Sequence, residues 1–302
     1  DWGTVYSDGF DMVMPHLGQV RQLSRVVVAL ARVEMGRGNY DRAIELCLTA
    51  RRIAEQVDDP VLISCLVSWA LDRDTHACVR ELARHLFGQP EKFERLRRGL
   101  VDMEPKKASS SLPALETEIE VVGSYMNVGR IHELLDALDA GLVSGEPNDS
   151  NRWPEITQEL LDKSYEYYKN HINKAISLLS EDKPYDETYG KLAAIDSAPK
   201  KDMEKNVAAV LTNAVFPSMT GWFNVDVTTR AAANATMAGL SVYQIKVKSG
   251  KLPEELPAGL PKDPFSGKDF KYERTKTGFI LRCRAKDVRK DIVHEFEFGG
   301  SE

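Results

Sequence analysis

Two carboxylate–histidine pairs have the clearest spacing for chemistry in this sequence. Asp72 precedes His76 by four residues, and Glu81 precedes His85 by four residues, within one predicted helix. This spacing places both members of a pair on one helical face, where they can bind a metal or act in acid–base catalysis. The two histidines, however, point to opposite sides of that helix. We therefore interpret both pairs as part of a solvated helix surface and predict no catalytic residue.

Motifs that mark known catalytic or nucleotide-binding sites are absent from the sequence. His132 and Glu133 are followed by Leu-Leu-Asp and not by the remainder of an HExxH zinc motif. There is no GxSxG, no GxxxxGK[ST], and no GxGxxG after a predicted strand. The formal net charge is −6 and the pI is about 5.7, whereas nucleic-acid binders carry a basic footprint. We predict no cofactor and no nucleic-acid partner.

Four cysteines occur without regular spacing, at Cys47, Cys65, Cys78 and Cys283. Cys65 and Cys78 fall in one predicted helix, roughly 20 Å apart, which is too far for a disulfide. Cys47 can approach Cys65 across a helical hairpin, but the register differs by several residues. We favour small buried thiols as the interpretation, and the redox state of all four cysteines stays open.

The apolar periodicity predicts a mainly helical chain with a small sheet at its end. The chain has 302 residues, of which 42% are hydrophobic, enough for one large domain or two smaller ones. We expect a helical-repeat-like region over 1–150, a helical continuation over 151–225, and a long helix with a small antiparallel sheet over 226–302. The polar, turn-rich stretch 145–151 is the best candidate boundary.

Helices are predicted at about 17–36, 41–57, 60–87, 91–103, 113–142, 154–179, 185–195, 203–216 and 227–247. Alternating residues predict strands at 270–275, 278–284 and 292–298. Within the first helix the apolar residues that recur at helical spacing are Val20, Leu23, Val26, Val27, Leu30 and Val33.

One segment near the start has small and aromatic residues at a familiar spacing: Leu30, Gly38, Tyr40, Ala43 and Ala50. This pattern resembles the tetratricopeptide repeat, in which small residues lie where two helices touch and a Gly-x-Tyr turn joins them. The resemblance implies a helical hairpin with Ala43 buried at the helix contact. Because it covers only one repeat, we expect one such hairpin within an irregular helical array.

A second pattern lies in the tail and consists of Gly250, Pro253, Asp263, Pro264, Phe265, Gly267 and Tyr272. This order resembles the C-terminal part of bacterial type II secretion pseudopilins. There a long helix ends in a Gly-x-x-Pro turn, and a DP-aromatic-x-G loop leads into a small antiparallel sheet. The whole chain resembles an uncharacterised family of bacterial helical proteins, usually envelope-anchored, that end in the same arrangement.

Some pseudopilins bind calcium in the loops of their sheet, and the weak candidates for such a site here are Asp263 and Asp269. They lack the dense acidic loop that calcium prefers. We therefore expect no metal, and expect Asp263 to cap a turn whose dihedral angle Pro264 fixes.

The resemblance implies a non-enzymatic scaffold or protein–protein interaction protein of the bacterial envelope, with one or more protein partners. Two alternatives stay open: a pseudopilin-related structural subunit of a secretion or pilus-like system, and an enzyme with an unrecognised site. Because the sequence begins at Asp1, removal of a leader or a membrane anchor is one interpretation. The resemblance favours the envelope or periplasm, and the cytoplasm stays open.

Overall fold

A computed structural model of the chain describes residues 14–57, 59–86, 88–103, 111–139, 153–181 and 183–299. The candidate boundary at 145–151 lies outside these residues. The helices are α1 (Pro15–Gly36), α2 (Tyr40–Gln56), α3 (Leu62–His85), α4 (Pro90–Val101), α5 (Ser111–Tyr125), α6 (Ile131–Asp139), α7 (Gln158–Leu179), α8 (Tyr185–Asp202), α9 (Ala208–Val215) and α10 (Met219–Ser249). The strands are β1 (Lys271–Arg274), β2 (Gly278–Arg282) and β3 (Glu295–Gly299). The predicted fold class, mainly helical with a small C-terminal antiparallel sheet, is confirmed.

Local sequence accounts for several helix ends. Thr157 caps α7 by accepting a hydrogen bond from the Leu160 backbone N–H at 3.2 Å. Helix α10 ends at Gly250, whose φ of 75° lies in the left-handed region that glycine adopts without strain. None of the helices in the described part of the chain combines the length and the apolar character that crossing a membrane requires.

Several helix predictions differ from the structure: α7 begins at Gln158 and not at 154, α8 ends at Asp202 and not at 195, and α9 begins at Ala208 and not at 203. Two further differences have a visible local cause. The predicted helix 113–142 is divided into α5 and α6, because Asn127 forms a cap in which its Oδ1 accepts from the Arg130 backbone N–H at 3.1 Å. Helix α10 begins at Met219, earlier than the predicted residue 227, because the Ser218 hydroxyl accepts from the Gly221 backbone N–H at 3.1 Å. In both places a short polar side chain, and not the apolar period, sets the helix start.

The repeat-like hairpin consists of α1 and α2, with α3 packed against both. Ala43 and Ala50 are fully buried, in one core cluster with residues of α1 and α3. Tyr40, at the start of α2, stacks on His85 with ring centroids 5.8 Å apart. The small residues therefore lie where close helix packing needs them.

The three strands form one antiparallel sheet in the order β1-β2-β3. Phe279 of β2 pairs with Phe298 of β3, and both rings are buried. Tyr243 of α10 meets both rings edge-on, with centroid distances of 5.1 and 5.8 Å. One face of the sheet therefore packs on the long helix, as the sequence predicted.

We expect Ala43→Leu to lower the free energy of unfolding by about 1–3 kcal/mol, because a larger side chain overpacks a fully buried helix contact. The measurement is denaturant unfolding of the purified chain. Ala193→Leu, at an exposed position of α8, is the matched control and should be nearly neutral. Equal stability of the two variants would contradict the packing of this hairpin.

Candidate functional site

Asp263, the tail aspartate that the sequence singles out, is a fully buried loop residue. Its Oδ1 accepts a hydrogen bond from the Phe265 backbone N–H at 2.9 Å. Its Oδ2 accepts from the Ser266 hydroxyl at 2.6 Å and from the Arg284 backbone N–H at 2.7 Å. The carboxylate therefore caps the turn, as expected, and also ties the loop to the segment that follows β2.

Asp269, the second weak calcium candidate, is exposed and offers its backbone carbonyl to the Arg284 side chain at 2.7 Å. Within the described ranges, no group of three or more His, Cys, Asp or Glu residues is arranged to hold a metal ion. Both oxygens of Asp263 already accept hydrogen bonds from the protein. The structure therefore gives the two candidates no shared ligand set.

A second buried aspartate, Asp287, was missed by the sequence analysis. Its side chain is 0% exposed, and its Oδ1 accepts from the backbone N–H groups of Arg289 at 3.0 Å and Lys290 at 3.1 Å. Its Oδ2 accepts from Asn224 Nδ2 at 3.2 Å and from His294 Nε2 at 3.0 Å. An aspartate in a polar stretch predicts the local Asx turn. It does not predict the contacts with Asn224 and His294.

The charge state of Asp287 follows from these four donors. Burial acts to raise the pKa of its carboxyl, but the hydrogen bonds from His294 and Asn224 outweigh that effect and lower the pKa. The carboxylate is therefore ionised across the physiological range, in a site that the protein itself has filled with donors.

The Asp287 cluster joins the tail to two helices. The Tyr185 hydroxyl at the start of α8 donates to Asn224 Oδ1 of α10 at 2.6 Å and accepts from the Val288 backbone N–H at 3.2 Å. Burial raises the pKa of Tyr185 to about 12. The phenol therefore stays protonated and serves as a fixed donor between the elements.

His294 has the geometry of an acid–base residue, since a buried carboxylate holds its Nε2. Its ring stacks on Phe265 at a centroid distance of 5.3 Å, and Phe265 meets Tyr185 edge-on at 4.7 Å. Catalytic dyads also need a nucleophile or substrate at the other ring nitrogen. Among the described residues, no hydroxyl or thiol forms a hydrogen bond there. The arrangement orients an aromatic cluster at the junction of tail and helices.

A cleft of about 580 Å³ lies beside this junction. Its wall includes the Asp-Pro-Phe-Ser-Gly loop through Pro264 and Ser266, and the ring of Tyr185. Of its two cationic residues, Arg230 pairs with Asp226 at 2.8 Å. The other, Lys183, pairs with Glu181 and Glu187. Both cations of the cleft therefore already have a carboxylate partner.

The two histidine pairs have different environments. His76 is 4% exposed and lies 3.5 Å from the Asp72 carboxylate, and burial lowers its pKa. The expectation of a solvated surface is therefore wrong for His76, because this side of α3 faces the interior. His85 is exposed and stacks on Tyr40, while Glu81 pairs with Arg32 at 2.9 Å. Glu81 and His85 therefore each contact a different residue.

The apolar residues of α1 are divided between two faces. Val20 and Val27 are buried, each 8% exposed. Four others are exposed by about half, and these four define the α1 outer face: Leu23 53%, Val26 55%, Leu30 47% and Val33 46%. Leu30, one of the repeat-like residues, therefore points outward. The α1 outer face is the one row of exposed apolar residues on a single helix face in the described part of the chain.

Comparisons with known proteins add no relative. Neither sequence models of protein families, nor curated proteins, nor solved structures gave a match to this chain.

We expect Asp287→Asn to lower the free energy of unfolding by more than about 2 kcal/mol, because an amide cannot accept all four hydrogen bonds of the buried carboxylate. Asp291→Asn is the control, since the Asp291 side chain is 83% exposed. The measurement is denaturant unfolding at neutral pH. Similar losses of stability in the two variants would contradict a structural role for Asp287.

The effect of Asp287→Asn on the free energy of unfolding should depend on pH. The folded-state pKa of Asp287 is lower than that of the unfolded chain, which is about 3.9. The stability it supplies is therefore fully present above about pH 4 and is lost as the pH falls through the folded-state pKa. We expect the stability difference between wild type and Asp287→Asn to shrink on acidification. A difference that grows toward acid would contradict this sign.

We expect Phe265→Ala to cost about 3–5 kcal/mol of local stability, because it empties the space between Tyr185 and His294. Hydrogen exchange should show faster exchange over residues 251–298 and little change in α2, which serves as the internal reference. Uniform loss of protection along the chain would show instead that the tail and the front unfold as one unit.

Proposed function

We propose that this chain is a non-enzymatic scaffold protein that binds a partner protein through the α1 outer face. The single observation that carries the proposal is the row of half-exposed Leu23, Val26, Leu30 and Val33 on one helix. Scattered exposed apolar residues are ordinary, whereas a contiguous row of them marks an interaction surface. A location in the bacterial envelope is part of the same proposal and rests on the resemblance of the tail.

The spacing of the face indicates the kind of partner. Its four residues follow one another at intervals of three, four and three, which is the spacing of a helix-pairing seam. The row is about 15 Å long, roughly three helical turns. The exposed side chains beside its first half, Gln19 and Gln22, are uncharged. An amphipathic helix with its own apolar row is the partner that this geometry fits.

The buried carboxylates support the non-enzymatic part of the proposal. Asp263 and Asp287, which carry the most concentrated polar contacts in the tail, accept three and four hydrogen bonds from the protein itself. A carboxylate whose two oxygens both accept hydrogen bonds from the protein in this way stabilises the fold.

Two other functions each have one observation in their favour. A pseudopilin-related structural subunit is favoured by the tail, in which α10 ends at left-handed Gly250 and carries a three-stranded sheet. An enzyme is favoured by the Asp287–His294 pair, which has the spacing of a catalytic dyad. Loss of a reaction in His294→Ala with an intact fold would support the enzyme.

The test is site-specific photocrosslinking from the α1 outer face in cells that make the protein. A photoreactive residue at Val26 should give a discrete covalent adduct with a protein that carries an amphipathic helix. Leu30→Lys should abolish that adduct, because a charged side chain opposes burial of the seam. The thermal midpoint should stay unchanged, since Leu30 is already half-exposed.

Val207 is the matched control position, a valine at the N-cap of α9 that is 52% exposed, and none of the large apolar residues that the structure describes in α9 is exposed beside it. A photoreactive residue there should give no discrete adduct, and Val207→Lys should leave the Val26 adduct intact. An adduct of the chain with itself would make the surface a contact between copies. No adduct from Val26 above the Val207 background would overturn the proposal.

A further inference from the structure

Cys47 of α2 and Cys78 of α3 face each other in the core. Their sulfur atoms are 3.6 Å apart, and the two side chains are 1% and 0% exposed. The predicted helical hairpin allows Cys47 to approach Cys65, but in the structure the Cys65 thiol lies 3.7 Å from the Asp59 carbonyl. Two antiparallel helices thus bring together a thiol pair that is distant in sequence.

The two thiols differ in their electrostatic surroundings. The hydrogen bond between the two thiols lowers the pKa of Cys78, and Arg32 acts in the same direction, against burial and Glu81. The same contact together with burial raises the pKa of Cys47. Cys78 is therefore the better nucleophile of the pair, since the thiolate is the form that attacks a disulfide.

We propose that Cys47 and Cys78 form a dithiol site that is oxidised to an intramolecular disulfide by thiol–disulfide exchange with an external disulfide. The Cys78 thiolate attacks one sulfur of the external disulfide, which gives a mixed disulfide and releases one thiolate. The Cys47 thiolate then attacks the Cys78 sulfur and releases the second. Two protein thiols are oxidised, one external disulfide is reduced to two thiols, and the two cysteine protons end on the released thiols.

Burial determines when this exchange takes place. The sulfurs are 3.6 Å apart and a disulfide needs about 2.05 Å, so they must approach by on the order of 1.5 Å. A buried thiol meets an external disulfide only when the α2–α3 contact opens. The exchange is therefore slow in the native chain and fast during folding. This inference rests on the sulfur contact alone and is independent of the α1 outer face.

The test begins with the full chain, reduced and unfolded, then refolded in mixtures of oxidised and reduced glutathione. After free thiols are alkylated, trypsin releases Cys47 in the peptide 43–51 and Cys78 in the peptide 74–80. Mass spectrometry should find these two peptides joined by a disulfide in the oxidising mixture and separate after reduction. Oxidation of the already folded chain should be at least tenfold slower and should accelerate in mild denaturant.

Matched serine variants separate this pairing from general oxidation. Cys47→Ser and Cys78→Ser should each abolish the linked peptide, whereas Cys65→Ser, at another buried cysteine of α3, should leave it unchanged. Oxidised wild type should unfold at a higher denaturant concentration than reduced wild type, and the Cys78→Ser variant should show no such shift. Alkylation of both cysteines in every mixture, or equal linkage of Cys47 to Cys65, would overturn the proposal.

Discussion

Burial of the long helix α10 on several sides is the constraint on which the other elements depend. Helices α3, α4 and α8 and strand β3 all contact it. A helix enclosed in this way needs small residues for close approach, and the middle of α10 supplies Ala231, Ala232, Ala235, Ala238 and Gly239. At Gly239 the ring of Phe298 occupies the space that a Cβ would take. The sheet can therefore lie directly on the helix backbone.

Several polar contacts join the tail to the helices, and two of them involve the charged side chains of Arg80 and Asp287. Arg80 of α3 donates to the Thr236 hydroxyl of α10 at 2.9 Å and lies over the Phe296 ring of β3 at 5.3 Å. Burial lowers the pKa of Arg80 to about 10, so the guanidinium stays charged at neutral pH. Asp287 makes the second attachment through Asn224. Hydrogen bonds in buried surroundings fix the orientation of a sheet that apolar contact alone leaves loosely specified.

The polar residues of the tail and the apolar residues of α1 have different surroundings. The conspicuous polar residues of the tail are used to dock it, whereas the front of the chain leaves apolar side chains uncovered on α1. Helices α2 and α3 cover one side of α1 and not the α1 outer face. Desolvation drives association only where apolar area is still in contact with water, as it is along the α1 outer face.

The sequence by itself determined most of the helices, the presence of three strands and the turn at Gly250, because periodicity and turn residues act over a few neighbouring positions. It also located the buried Asp263 loop, whose contacts are largely local. It did not determine the division between α5 and α6 or the start of α10. Only the tertiary structure decided that Cys47 meets Cys78, that Asp287 reaches α10, and which side of α1 stays exposed. These depend on which distant element arrives against a given face. An apolar period records that a face is apolar and carries no information on what covers it.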